Sequence, residues 1–91
     1  MTANFTDNTA LHHFELVEEG LTAFASYRRD GDHVTIPHVE APVALRGKGS
    51  ADRLMRAIVE DARVRGFKIV PTCPYARVWF QRHRDAADVL G

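Results

Sequence analysis

The sequence predicts an α+β domain with the element order β-β-β-α-β-α, a mixed sheet and helices packed on at least one sheet face. Three observations lead there. Between His12 and Glu40, apolar residues recur with period two in three runs separated by glycine turns. At Ser50 the period changes to that of an amphipathic helix. An apolar run and a proline-led helix follow, and a strand, helix, strand series implies a right-handed crossover to a parallel position. At 91 residues the chain is one domain, residues 1–91.

Residues 1–10 are polar and are expected to fray. Over 12–18, Phe14 and Leu16 alternate with His13, Glu15 and Val17, as in a half-buried strand. Gly20, in "EEGL", turns the chain. Over 21–29, Leu21, Ala23, Ala25 and Tyr27 share one face, and Thr22, Phe24, Ser26 and Arg28 the other. Asp30-Gly31 is a strong hairpin signal, since both central residues of a tight I′ turn need positive φ. The third strand, 33–40, is expected to place Val34, Ile36, His38 and Glu40 on one face.

Pro42 ends the ladder. From Ser50, Ala51, Leu54, Met55, Ile58, Val59 and Ala62 fall on one helical face, opposite Asp52, Arg53, Arg56, Glu60, Asp61 and Arg63. Gly66 is placed to end that helix. "FKIVPTC", 67–73, reads as a buried strand. Pro74 suits the first turn of a last helix whose apolar face is Ala76, Trp79 and Phe80, with His83 one turn on.

The formal net charge is zero, but residues 1–45 hold seven acidic and two basic groups, a net of −5, and residues 46–91 the complementary +5. Such asymmetry fits an anion handled by the second half; it equally fits two halves that attract one another. The single cysteine, Cys73, excludes an internal disulfide and fits a reducing, cytoplasmic setting. The N-terminus lacks a basic region followed by an apolar run, so no signal peptide is expected. No apolar run approaches the ~20 residues that span a bilayer, and no membrane association is expected.

The charge switch falls inside "APVALRGKGSADRL", residues 41–54. A helix N-terminus leaves N–H groups unpaired and carries partial positive charge. Glycines before it admit close approach of an anion, and Arg46, Lys48 and Arg53 add full charges. The combination suits a phosphate or pyrophosphate. It is not a Walker A loop, because Lys48 is followed by Gly49, nor a Rossmann fingerprint, because the third glycine is absent.

The stretch does resemble one family. "RGKGSA", residues 46–51, matches Arg/Gln-x-x-Gly-x-Gly/Ala, the pyrophosphate motif of the GNAT superfamily of N-acetyltransferases. Around it, "HVEAP", "VPTCP" and the helix after them resemble the very small, stand-alone GNAT-like group, from about Phe14 to Leu90. The resemblance implies a minimal GNAT-like fold and acetyl-CoA as cosubstrate, with no metal. It implies that amides of Arg46, Gly47, Lys48, Gly49, Ser50 and Ala51 hold the pyrophosphate. The pantetheine arm would lie between strands ending near Glu40 and Cys73, with His38 to Val43 offering amides to the thioester. Cys73 and Tyr75 complete the expected cosubstrate contacts.

Acetyl transfer to an amine needs a proton acceptor, a polarised carbonyl and a donor for the thiolate. Glu40 and His38 share a strand face at spacing two and are candidate bases; each also reads as an ordinary half-solvated side chain. Cys73 sits before Pro74 at a helix start, where a dipole favours a thiolate, and is either a nucleophile or a small packing residue. Arg77, Arg82 and Arg84 read as CoA phosphate contacts or as solvated charges.

Two departures from larger members bear on activity. "EEGLT" joins the first two strands directly, without the helices that usually shape the acceptor pocket, so the site should be open to a peptide or protein amine. Phe80 falls where larger members tend to place a tyrosine acid. A non-catalytic CoA-binding or protein-interaction module is therefore the alternative. Nucleic-acid binding is least favoured, because Asp52, Glu60 and Asp61 interrupt the basic helix face and aromatic interleaving is absent. A monomer or weak dimer is expected, and the acceptor amine is unspecified.

Overall fold

The computed structural model describes residues 4–91. The elements are β1 (Phe5–Asn8), β2 (His13–Glu18), β3 (Leu21–Asp30), β4 (His33–Glu40), a 3-10 turn (Val43–Leu45), α1 (Ser50–Arg65), β5 (Lys68–Pro71), α2 (Pro74–Arg82) and a final 3-10 segment (Arg84–Val89). The strands form one sheet in the order β1-β2-β3-β4-β5. The pairings are antiparallel except β4–β5, which is parallel, so the expected mixed sheet and crossover are present.

Both helices pack on one face. Phe14, Leu16, Ala23, Ala25, Val34 and Ile36 of the sheet close against Leu54, Met55 and Ile58 of α1 and against Ala76, Trp79 and Phe80 of α2. Each fully buried Leu, Ile or Phe stabilises the fold by roughly 1.5–3 kcal/mol through the apolar surface it removes from water. The helical spacing read from the sequence selects these side chains because one face of α1 is the only surface that can meet the sheet. Gly66 ends α1 at φ +79, with its N–H on the Ala62 carbonyl at 2.8 Å.

The structure corrects three expectations. Four strands, not three, precede α1, because Phe5–Asn8 is paired with β2 rather than frayed. Its cohesion is tertiary: Phe5 stacks on Phe14 at 5.9 Å, and Asp7 accepts the Tyr27 hydroxyl at 2.6 Å and pairs with Arg65. The β3–β4 turn is centred on Gly31-Asp32, not Asp30-Gly31, because Asp30 closes the ladder against His33. Only the glycine takes positive φ, +62, at the first central position, as in II′ turns.

The third correction matters most for the site. Ser26 pairs with His38 but Arg28 pairs with Thr35, so β4 carries an extra residue opposite Tyr27. Pro37 lies there and has no N–H to give the ladder. The bulge reverses the side-chain alternation. Val34 and Ile36 face the helices, but so do Val39 and Ala41, while His38 and Glu40 point to the opposite, uncovered face.

Candidate functional site

β4 and β5 pair from His33–Lys68 to Ile36–Pro71 and then part. The last bonds between them run from the N–H groups of Thr72 and Cys73 to the Ile36 carbonyl, both at 3.1 Å. Beyond this point β4 continues to Glu40 along β3 alone, while the other chain turns into α2 at Pro74. The wedge-shaped gap opens toward the N-terminus of α1.

A groove of about 330 Å³ lies at that end, lined by Ala41, Leu45, Arg46, Gly47, Gly49, Ser50, Ala51, Asp52 and Tyr75. Its rim is built locally. Pro42 starts the 3-10 turn, whose Leu45 is 1% exposed and anchors the loop in the protein. Gly47 and Gly49 then take φ +79 and +82, which turns the backbone outward without a side chain in the way. A Cβ on Gly47 would meet nothing within 4 Å, so the space above it is open.

Lys48 N–H is bonded to the Leu45 carbonyl and Arg53 N–H to the Gly49 carbonyl. Among the described residues, the N–H groups of Gly47, Gly49, Ser50, Ala51 and Asp52 have no protein acceptor, and no side chain caps α1. Five unpaired donors at the start of a 16-residue helix make an anion cradle. A pyrophosphate fits it by donor number and by access.

The charges around the cradle are arranged differently from the sequence expectation. Arg53 does not stand free over the groove. The Glu18 carboxylate accepts from Arg53 Nε at 2.6 Å and Nη2 at 2.9 Å, and it also accepts the Ser50 hydroxyl. Arg53 Nη2 donates in addition to the Lys48 carbonyl at 2.8 Å. Lys48 Nζ lies 3.5 Å from Glu19. Arg46, whose Nε donates to the Ala41 carbonyl at 3.3 Å, is left as the cation lining the groove. The hydrogen bonds from Arg53 and Ser50 hold the Glu18 carboxyl down at about 2.

Asp52 is turned away from the cradle. Trp79 Nε1 donates to it at 2.8 Å and Arg56 Nε at 3.1 Å, with His83 Nε2 at 3.6 Å. Burial pushes its pKa up, but these partners outweigh that and hold it below the usual carboxylate range.

A family model for GCN5-related N-acetyltransferases matches residues 13–89, which takes in the gap, the cradle and both helices. The chain belongs to the GCN5-related N-acetyltransferase family. The solution structure of a GCN5-like protein from Staphylococcus aureus superposes with a TM-score of 0.69. It is 23% identical, and the match covers 99% of this chain and 89% of that one. It shows the same fold. Among curated proteins no similar sequence is found.

Within this GCN5-related fold the expected site residues do not all gather in one place. Arg46, Gly47, Gly49, Ser50, Ala51 and Tyr75 line the one groove. Lys48 points to the β2–β3 turn, and Val43 is 75% exposed beside the groove. His38 and Glu40 sit together on the uncovered sheet face, with Nε2 3.1 Å from Oε1. Cys73 caps α2 as its first half-turn residue, with its side chain in the core at 6% exposure. Phe80 is buried edge-on to Trp79 at 5.1 Å and presents no hydroxyl to the gap. Tyr75 is at the groove, its pKa raised by burial and by the Asp52 charge. No helix of the described residues is long and apolar enough to cross a membrane.

Sequence reasoning missed Glu18 and Asp52. Nothing local marks Glu18, which lies 35 residues from Arg53. Asp52 was legible only as a polar-face residue; its tie to Trp79 depends on how α2 packs on α1.

Proposed function

We propose that this GCN5-related protein is an acetyl-CoA-dependent N-acetyltransferase that moves an acetyl group to an amine, a peptide or protein amine, in an open acceptor site. The observation that carries the reading is the set of five unpaired N–H groups, of Gly47 and of Gly49 to Asp52, on residues that line one groove with Ala41, just after β4, and Tyr75, just after β5. Acetyl-CoA supplies the activated acyl group. The amides of Gly47 and of Gly49 to Asp52 take its pyrophosphate, with Arg46 adding charge. Tyr75 and Ala41 flank the pantetheine arm where it enters the gap.

The step balances with the groups at hand. The acceptor arrives as an ammonium and loses one proton to Glu40, relayed by His38 at 3.1 Å to solvent. The freed amine attacks the thioester carbonyl, the N–C bond forms and the C–S bond breaks. The second proton of the nitrogen passes through solvent to restore the group that protonates the CoA thiolate, so the net release is the one proton taken by Glu40. Tyr75 is the hydroxyl at the groove that can donate it; Cys73 is the thiol at the end of the gap.

A second reading, a CoA-binding module without catalysis, is favoured by the burial of both Cys73 and Phe80. Calorimetry with acetyl-CoA and an amine panel separates the two. Binding that is lost in Gly49→Glu, together with turnover, supports the enzyme. Binding without turnover on any amine supports the module. No binding at millimolar ligand sinks both. If Glu40→Gln and Cys73→Ala each leave turnover intact, neither residue has the role given it here.

A further inference from the structure

The uncovered sheet face carries a pattern that the CoA groove does not use. Glu15, Phe24 and Glu40 are direct cross-strand neighbours on β2, β3 and β4. In the adjoining row His13, Ser26 and His38 are aligned the same way. The Phe24 ring stacks on His13 at 4.4 Å and lies 5.9 Å from His38. Each carboxylate neighbours an imidazole, Glu15 at 3.9 Å from His13 and Glu40 at 3.1 Å from His38.

Adjacent strands are spaced by ~4.8 Å, so the two glutamate backbones stand roughly 10 Å apart with the aromatic ring between them. An aromatic ring flanked by two carboxylates complements an alkylammonium. The ring takes the methylene stem and attracts the cation, and the acids neutralise it. The surface is a sheet face without a helix over it, which suits an extended chain better than a small molecule that needs enclosure. Its position fits delivery: Glu40 ends this row, and the next residue, Ala41, points to the other side and lines the CoA groove.

We propose that this face docks a basic polypeptide segment and seats one lysine side chain over Phe24, between Glu15 and Glu40, as the acetyl acceptor. The inference rests on the acetyl-CoA reading above and names the acceptor for it. The occupant follows from charge complementarity with Glu15 and Glu40, the two carboxylates that flank Phe24 on this face.

The test is a titration of the full chain, with CoA present, using a short alternating lysine-glycine peptide and following backbone amide shifts. The expected result is movement of the Glu15, Phe24, Ser26 and Glu40 amides, binding that weakens with added salt, and about a tenfold loss of peptide affinity in Glu15→Gln, as for one desolvated charge pair. The CoA-induced shifts of Gly47 to Asp52 should persist in that variant. The proposal is overturned if the peptide moves other surfaces, if a glutamine-glycine peptide binds as well, or if 1,4-diaminobutane binds as tightly as the peptide. Loss of the Gly47–Asp52 shifts in the wild type would instead strike the acetyl-CoA reading, and the β2–β4 amides would still report on the peptide.

Discussion

Glu18, at the end of β2, grips Arg53 of α1 through two hydrogen bonds, at 2.6 and 2.9 Å. The same guanidinium holds the Lys48 carbonyl, and the same carboxylate takes the Ser50 hydroxyl. One acid from a distant hairpin thus braces both sides of Gly49. The bracing orients the N–H groups of the cradle but takes Arg53 from the groove, and Arg46, which is not engaged with an acid, is the cation left to line it.

Glu18→Gln should therefore loosen the cradle. The neutral amide keeps one oxygen for Ser50 and Arg53 Nη2, but it loses the charge and sets an NH2 group against Arg53 Nε, which then has no acceptor there. Acetyl-CoA affinity is expected to fall about tenfold, as for a lost charge-assisted contact, with Tm lower by a few degrees. Calorimetry and a thermal melt read the two effects; unchanged affinity would mean the loop holds its shape without the clamp.

The same carboxyl gives a pH signature. Its folded pKa of about 2 lies below the ordinary 4.5, so the native state binds its proton less readily than the unfolded chain. The stability it contributes is complete above pH 4.5 and is lost as pH falls from 4.5 toward 2. A urea midpoint series should show an acid decline over that window that is shallower in Glu18→Gln.

Asp61 should behave in the opposite sense. Burial raises its pKa, and its Oδ2 has no hydrogen-bond partner, although Arg65 Nη2 approaches to 3.1 Å. Its stability contribution is full below the ordinary 3.8 and is lost as pH rises through the raised folded value. Asp61→Asn, which removes the buried charge while Arg65 keeps Asp7, is expected to raise Tm at pH 7 and to leave it unchanged or lower at pH 3. A lower Tm at pH 7 would show that the Arg65 pair outweighs desolvation.

The two loop glycines should differ. Both need positive φ, which costs an alanine about 1–2 kcal/mol. At Gly49 a Cβ would also stand 3.0 Å from Arg53 Nη1, a group that Glu18 and Lys48 hold in place. Gly49→Ala is expected to weaken acetyl-CoA binding more than Gly47→Ala, where the added methyl meets open space. Equal losses would place the effect in backbone strain alone.

Trp79, the single tryptophan, offers a spectroscopic check. Its Nε1 bond to Asp52 ties it to a residue whose backbone N–H belongs to the cradle. Acetyl-CoA should shift its emission. Trp79→Phe leaves the half-exposed Asp52 carboxylate with Arg56 but without that donor, and is expected to lower Tm modestly. Emission that does not respond to saturating ligand would separate α2 from the binding event.

Much of this fold is written locally. Period-two alternation at Phe14 and Leu16, the helical repeat from Ala51 to Ala62, and Gly66 after it are short-range signals, because a half-buried strand and an amphipathic helix each impose their own spacing. The cradle was legible for the same reason: Gly47, Gly49 and the start of α1 are contiguous, and unpaired N–H groups follow from any helix N-terminus. The tertiary structure decided what depends on distant partners. It ordered β1 through Phe14, Tyr27 and Arg65, took Arg53 away from the groove to Glu18, and buried the Cys73 side chain. It also turned His38 and Glu40 to the open face, where a strand read without its partner had kept them beside Ile36. A bulge is a mismatch between two strands, and one strand's alternation carries no record of it, although Pro37, unable to join the ladder, marks where it falls.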